Sequence, residues 1–190
     1  MTAGAAPLDE VLGYRDRVPL AWTALDEPPS PAELAHWQDH NLRLLAALAL
    51  LEERPRKGDA DEPLSLEVER LHLKFDLLLE MLAVMLRQQQ PLPPARAVRV
   101  TPEGMSWQTD GHAPAAPRAL LQIHLHPGLP APLQWPAEIE VHDGGEAVAR
   151  FLPLGEACAA ALERHVFTRH RRSVAEARSP VPRSDPPAAS

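Results

Sequence analysis

The feature that most constrains the fold of this chain is a long heptad series in its middle. The series predicts a helix over about residues 64–90, roughly 40 Å long at 1.5 Å per residue. Within Leu77–Leu86 only Glu80 is charged, and a helix that is apolar on almost every side must be covered on several of them. Copies of the same helix would supply that cover, so we expect a homo-oligomer; the alternative is a monomeric core helix. The members of the series, which we expect to mediate oligomerisation, are Leu64, Val68, Leu71, Phe75, Leu78, Leu82 and Met85.

A second helix precedes this series and begins at a clear sequence signal. Ser30 and Glu33 form a capping box, with Pro31 at the first helical position. A single polar residue in a helical seam can fix the register of the helices and the number of subunits, because other registers and oligomeric states bury it unfavourably. We expect that role for Asn41. The polar segment 53–63 predicts a turn, so that residues 30–90 form an inserted helical hairpin. The heptad positions of this helix are Leu34, Trp37, Asn41, Leu44, Leu48 and Leu51.

After the prolines of 91–94 the hydrophobic period changes to two. Apolar and polar residues alternate along short segments within 95–152, which indicates half-buried antiparallel strands, and a first strand is expected within 13–25. A final helix over 155–178 has one apolar face, and 179–190 has the composition of a disordered tail. We therefore expect residues 1–178 to form a single domain. The apolar face of the final helix consists of Leu154, Cys158, Leu162 and Val166.

Net charge, cysteine count and the length of apolar runs limit which partners and which cellular compartment we expect for this protein. The 190 residues carry a formal net charge of −7, whereas nucleic-acid surfaces need clustered basic residues, so we expect no nucleic-acid partner. Cys158 is the only cysteine, which excludes an internal disulfide and suits a reducing compartment. The first ten residues contain no signal-peptide core, and the longest apolar run is about half of the roughly 20 residues that a spanning helix needs. We expect a cytoplasmic protein without membrane insertion.

No motif in the chain builds a convincing active site. The sequence contains no phosphate-binding glycine loop, dinucleotide fingerprint or G-x-S-x-G nucleophile turn. His36 and His40 have the spacing of helical zinc ligands, but Trp37 stands where a metalloprotease carries glutamate. We therefore expect no catalytic residues, no metal and no enzymatic activity.

The order of the elements resembles that of the PilZ domain, a bacterial receptor of cyclic di-GMP. The segments Arg99–Met105, Ala149–Leu152 and Leu162–Arg178 carry the resemblance, which extends over roughly residues 13–178. The heptad-bearing insertion is similar to the atypical, tetrameric branch of that family. The resemblance implies an α+β fold: a PilZ-like six-stranded antiparallel β-barrel with an inserted long heptad-bearing α-hairpin and a C-terminal helix.

The family's nucleotide motif is only partly kept. Its two parts are R-x-x-x-R before the first strand and D/N-x-S-x-x-G at a later one. Arg17 matches the second arginine, but Gly13 stands at the first. Gly104, and loosely Thr101, match the second part, whereas Arg99 replaces the acid or amide. The resemblance thus implies a degenerate ligand site, with weak or absent cyclic di-GMP binding and no other cofactor.

The resemblance also implies how such a protein acts. A tetramer with a degenerate motif would work through contacts with an unidentified signalling or surface-machinery protein. The alternative is a genuine cyclic di-GMP receptor that uses non-standard residues, such as the basic run Arg169–Arg172.

Overall fold

The computed structural model describes residues 8, 10–52, 92–129 and 131–178, together with seven positions between 68 and 81. The predicted tail and the seam residues Leu64, Leu82 and Met85 lie outside the described residues. The elements are β1 (Tyr14–Ala24), α1 (Pro31–Glu52), β2 (Ala95–Val100), β3 (Gly104–Gln108), β4 (Arg118–Ile123), β5 (Leu133–Val141), β6 (Glu146–Phe151) and α2 (Glu156–Arg178).

The strands close into an antiparallel barrel in the order β1-β2-β3-β6-β5-β4, which confirms the predicted six-stranded α+β fold. β1 pairs with β2 up to Pro19 and with β4 from Leu20 onward. Pro19 therefore lies where the strand changes partner, a position at which its missing N–H disturbs the ladder least. Its carbonyl accepts a hydrogen bond from His124 N at 3.1 Å.

The core lies inside the barrel and continues beneath α2. Alternation along the strands turns large apolar side chains inward, among them Trp107, Met105 and Leu121, each no more than 2% exposed. The predicted apolar face is buried in the same core: Leu154 lies just before α2, and Cys158, Leu162 and Val166 lie on the helix. The 3.6-residue period therefore identified the correct face of this helix.

α1 uses most of its heptad positions to cover the barrel. Trp37 and Leu48 are buried as expected, but Leu45 is buried where the series predicted Leu44. Leu51, the last member of the series, remains 40% exposed. The helix contacts β5 and α2, so its buried stripe faces its own domain.

The structure corrects the role predicted for Asn41, which binds the barrel and is fully buried. Asn41 Nδ2 donates to Gln134 O and Asn41 Oδ1 accepts from Gln134 N, each at 2.9 Å. β6 pairs with β5 only from Ala137 onward, which leaves the beginning of β5 open on that side. The amide fills this place as a neighbouring strand would, and so ties α1 to the sheet.

We expect Asn41→Leu to destabilise the domain, although a leucine would improve a heptad seam. The substitution leaves the N–H and C=O of Gln134 partly buried without partners, at up to about 1–3 kcal/mol for each group. Urea unfolding of both proteins measures the loss. Arg43→Leu, at an exposed position of the same helix, is the matched control and should change stability by less than about 0.5 kcal/mol. A stabilised Asn41→Leu variant would contradict the barrel-binding role.

The middle segment exposes its apolar residues. All of its described positions are helical and exposed, and Val68, Leu71, Phe75 and Leu78 have 44%, 66%, 60% and 63% of their surface accessible. Their spacing of three and four places them along one side of a helix. Among the described residues, no helix combines the length and hydropathy required to cross a bilayer.

Candidate functional site

The residues that sequence analysis compared with the ligand motif lie on and beside the outer face of β1 and β2. Arg17 is exposed and is paired with Ala97. Arg99 lies opposite Arg15 on β1 and opposite Ser106 on β3. The structure thus brings Arg15, Arg17 and Arg99 to one face of the barrel, although the sequence motif had identified only two of them.

Part of this face is covered by the residues that precede β1. Arg99 Nη2 donates to Val11 O at 2.7 Å, so one end of the guanidinium holds the N-terminal segment. Leu8 is buried, at 5% exposed, and its side chain lies beside Gly104. The chain itself therefore occupies the space next to the motif position that Gly104 represents.

Thr101 and Gly104 form the turn between β2 and β3. The Thr101 hydroxyl is fully buried, donates to Gly104 O at 3.0 Å, and accepts from Gly104 N at 3.1 Å and Glu103 N at 3.3 Å. A Cβ at position 104 would lie 2.2 Å from Ala149 O on β6. Both residues therefore have a structural reason to be present that requires no ligand.

Gly104→Ala should lower the free energy of unfolding by about 1–3 kcal/mol, the usual cost of overpacking, because β3 and β6 must separate to admit the methyl group. Thermal or urea unfolding measures the effect. Gly144→Ala is the matched control, since a Cβ there meets nothing within 4 Å. Equal stability of the two variants would show that the β3–β6 contact is looser than described.

Gly13, at the place of the missing arginine, is held equally closely. A Cβ at this position would lie 2.6 Å from Val100 O and 2.9 Å from Thr101 Cγ2. Its carbonyl accepts a hydrogen bond from His170 Nδ1 at 2.8 Å. A side chain at this position would therefore have to move β2, so the first arginine of the motif does not fit this backbone.

A polar network joins the end of α1 to β1 and α2, with Asp16 and Arg169 only partly buried. We call it the helix junction; it consists of Tyr14, Asp16, Glu52, His165 and Arg169. Tyr14 OH lies 2.9 Å from His165 Nε2, and the two rings meet edge to face at 5.6 Å. His165 Nδ1 lies 3.4 Å from Glu52 Oε2, and the Glu52 side chain is only 8% exposed. Burial raises the pKa of Tyr14 far above its ordinary value, so the phenol stays protonated.

Arginines of α2 complete the helix junction. Arg169 forms an ion pair with Asp16, lies 3.9 Å from Glu52 Oε1, and stacks over the Tyr14 ring at 5.4 Å. Arg172 Nη2 donates to Glu52 O at 3.2 Å. Both arginines therefore bind other elements of the fold, in addition to lying in the last turns of α2. Sequence patterning missed His165 and Glu52, whose partners are more than a hundred residues away.

The pH dependence of stability should report on Glu52. Burial raises the pKa of its carboxyl, but contact with His165 and the charges of Arg169 and Arg172 outweigh burial and hold the pKa below 4.5. The ion pairs therefore stabilise the fold above about pH 4.5, and this contribution is lost as the pH falls through the lower pKa of the folded state.

We expect Glu52→Gln to lose about 1.5–3 kcal/mol at neutral pH, the worth of a hydrogen bond to a charged group. The two proteins should converge as the pH falls toward 3. Urea unfolding across this range tests the prediction, and parallel pH profiles of wild type and variant would contradict it.

The described part of the chain contains no group of three or more His, Cys, Asp or Glu side chains placed to hold a metal ion. In the histidine pair on α1, His40 Nε2 is hydrogen-bonded to Pro132 O at 2.8 Å.

Comparison with known proteins identifies the family. A family model described as an atypical PilZ domain, cyclic di-GMP receptor, matches residues 45–179. A solved structure from Xanthomonas campestris, described as a tetrameric PilZ domain of a pathogenic protein, self-assembled via an unusual helical bundle, is 27% identical. The alignment covers 88% of this chain and 89% of that one, with a TM-score of 0.65. No curated protein matches. Since the family model spans well over half of its residues, the chain belongs to the atypical PilZ domain family of cyclic di-GMP receptors.

Proposed function

We propose that this protein is a non-enzymatic signalling adaptor of cyclic di-GMP pathways that assembles through its heptad helices and acts by protein contacts. The observation that carries the proposal is the row of exposed apolar side chains at Val68, Leu71, Phe75 and Leu78. Water-exposed residues of this size in a continuous helical row favour association. The helical bundle of the similar tetramer supports the same arrangement here, and we propose a tetramer.

The local structure at the motif supports an adaptor role over strong nucleotide binding. Gly13 leaves no room for an arginine, and the Thr101 hydroxyl is bonded within its own turn. Arg99 holds the N-terminal segment and, being a cation, cannot accept hydrogen bonds as Asp or Asn would. We therefore propose weak or absent cyclic di-GMP binding.

One observation favours the second candidate function, a genuine cyclic di-GMP receptor with non-standard residues. Arg15 and Arg17 are exposed on the same barrel face as Arg99, and clustered guanidinium groups suit phosphates. Calorimetry with the dinucleotide separates the two candidates.

The assembly itself is tested by multi-angle light scattering of the full chain at micromolar concentration. A tetramer supports the proposal, and a monodisperse monomer would end it. Affinity capture with the intact oligomer as bait is the step toward the partner protein. The proposed compartment is the cytoplasm.

A further inference from the structure

A groove of about 350 Å³ lies between α1 and α2. On each helix its lining residues follow the spacing i, i+3, i+4 and i+7, so each helix presents one side to the groove. On both helices the apolar lining residues come first along the chain and the polar ones last. Glu52 and His165 are in contact, so the polar residues of the two helices gather at one end. The lining residues are Leu42, Leu45, Ala46, Ala49 and Glu52 on α1, and Ala161, Arg164, His165 and Thr168 on α2.

The size and lining of the groove suit a small molecule with an apolar chain. Sites for small organic ligands occupy about 300–1,000 Å³ and are lined mostly by apolar side chains with a few polar groups. Leu42 and Glu52, the first and last lining residues of α1, are ten positions apart, or about 15 Å at 1.5 Å per residue. Spread over that length, the volume gives a narrow cross-section, which suits an unbranched hydrocarbon chain. Ala46 and Ala49 are exposed, so the chain can enter from the surface.

His165 gives the polar end of the groove a buried hydrogen-bond donor. Its side chain is 6% exposed, and its Nδ1 has no hydrogen bond to any residue that the structure describes, although Glu52 Oε2 lies 3.4 Å away. Since a buried phenol needs an acceptor, we assign Tyr14 OH as the donor to His165 Nε2, 2.9 Å away. The ring hydrogen then lies on Nδ1. Buried polar groups are seldom left without a partner, so this N–H is available to an acceptor atom of a ligand in the groove.

Arg164 gives the same end a positive charge. Its side chain is exposed and forms no ion pair with the described part of the chain. Glu52, the acid of the lining, is already engaged: its carboxylate lies 3.9 Å from Arg169 Nη1 and its carbonyl accepts from Arg172. The lining charge that a ligand can pair with is therefore positive, although the whole chain has a net charge of −7. A guanidinium group is suited to a carboxylate, which it binds through two parallel hydrogen bonds.

We propose that the groove between α1 and α2 binds a free fatty acid. Its carboxylate pairs with Arg164 and accepts a hydrogen bond from His165 Nδ1, and its hydrocarbon chain lies along the apolar wall that contains Ala46 and Ala49. This site is separate from the motif residues on β1 and β2, and it goes beyond the proposed adaptor function. Because the ligand contacts both helices, its binding ties α1 to α2 beside the helix junction.

Calorimetry of the full-length protein with decanoate, below the concentration at which decanoate forms micelles, tests the proposal. We expect saturable binding of one decanoate per chain. Octanoate should bind about tenfold more weakly and dodecanoate about tenfold more tightly, because each buried methylene group contributes a factor of about four. Decyltrimethylammonium has a chain of the same length and a positive charge. It is the matched ligand control and should bind at least tenfold more weakly than decanoate.

Two pairs of variants locate the ligand. Ala46→Phe fills the groove and should abolish saturable decanoate binding, whereas Ala35→Phe, exposed on the same helix outside the groove, should keep the wild-type affinity. Arg164→Gln should weaken binding at least tenfold, the usual effect of losing a hydrogen bond to a charged group. Its control is Arg171→Gln, exposed on α2 and outside the lining, which should leave binding unchanged. All four positions are exposed, and circular dichroism checks that each variant is folded.

Three results would overturn the site. Heat that does not saturate at decanoate concentrations up to about 1 mM would show that no specific site of useful affinity exists. Decanoate binding that survives Ala46→Phe would place the ligand elsewhere on the protein. Equal affinity for decanoate and decyltrimethylammonium would remove the role of the Arg164 charge. Light scattering of the same samples tests the proposed assembly separately, so the absence of a fatty-acid site would leave the tetramer unaffected.

Discussion

A chain carrying both Leu71→Asp and Leu78→Asp should elute as a monomer where the unmutated protein is assembled. Both side chains are more than 60% exposed in the single chain, so the substitutions cost little there. In an assembled seam each would bury a carboxylate without a partner, at several kcal/mol per site. In a symmetric oligomer every copy buries both carboxylates, so the cost is multiplied by the number of subunits. The total then exceeds the free energy of association of an ordinary interface. Size-exclusion chromatography with light scattering measures the change in mass.

Two controls make that result specific. Arg70→Asp adds a carboxylate at a neighbouring position that already bears a charge and is exposed, and it should leave the mass unchanged. Far-ultraviolet circular dichroism should show that the barrel of the double variant remains folded, since its core lies in the strands and α2. If the double variant keeps the wild-type mass, the exposed row is not the assembly surface.

Calorimetry of the full-length protein with cyclic di-GMP should show no saturable heat at tens of micromolar ligand. The family motif binds phosphates and guanines with paired arginines, an acid or amide, and a hydroxyl. Loss of charge-assisted bonds costs roughly 1.5–3 kcal/mol each, and losing two of them weakens binding about a hundredfold or more. Gly13→Arg should not restore affinity, because the Cβ would lie 2.6 Å from Val100 O.

Saturable, stoichiometric binding below about 10 micromolar would overturn this prediction and favour the receptor function. Alanine substitutions at Arg17, Arg99 and the run Arg169–Arg172 would then locate the site. Arg17→Ala is the most informative of these, since Arg17 is exposed and its removal should not disturb the fold. Arg169→Ala needs a parallel stability measurement, because Arg169 also binds Asp16.

Local patterns in the sequence predicted the elements whose residues interact with near neighbours. The capping box at Ser30 and Glu33 forms as expected, with Glu33 Oε2 accepting from Ser30 N at 2.8 Å. The turn between β5 and β6, where Asp143, Gly144 and Gly145 follow one another in the sequence, is closed by His142 N donating to Glu146 O at 2.9 Å. Turn and cap residues act over three or four positions, so the sequence contains all the information that they need.

Long-range contacts give several residues a structural role that their sequence pattern does not predict. Pro136 is buried inside β5, with its carbonyl accepting from Leu152 N at 2.8 Å, although proline is uncommon within paired strands. Asn41 fits a heptad, but its partner is a backbone group 93 positions away. The period of a series shows which residues share a helix face, and it does not show whether that face meets another helix or a sheet.

The sequence by itself determined the two hydrophobic periods, and with them the division into helices and strands, the buried face of α2, and the departures at Gly13 and Arg99 from the family motif. Only the tertiary structure decided that Asn41 binds β5, that Val11 and Leu8 lie against the motif residues, and that Glu52 meets His165 across 113 positions. The physical reason is that side-chain periodicity is a property of one element, whereas a hydrogen bond or ion pair between elements exists only once the barrel has closed.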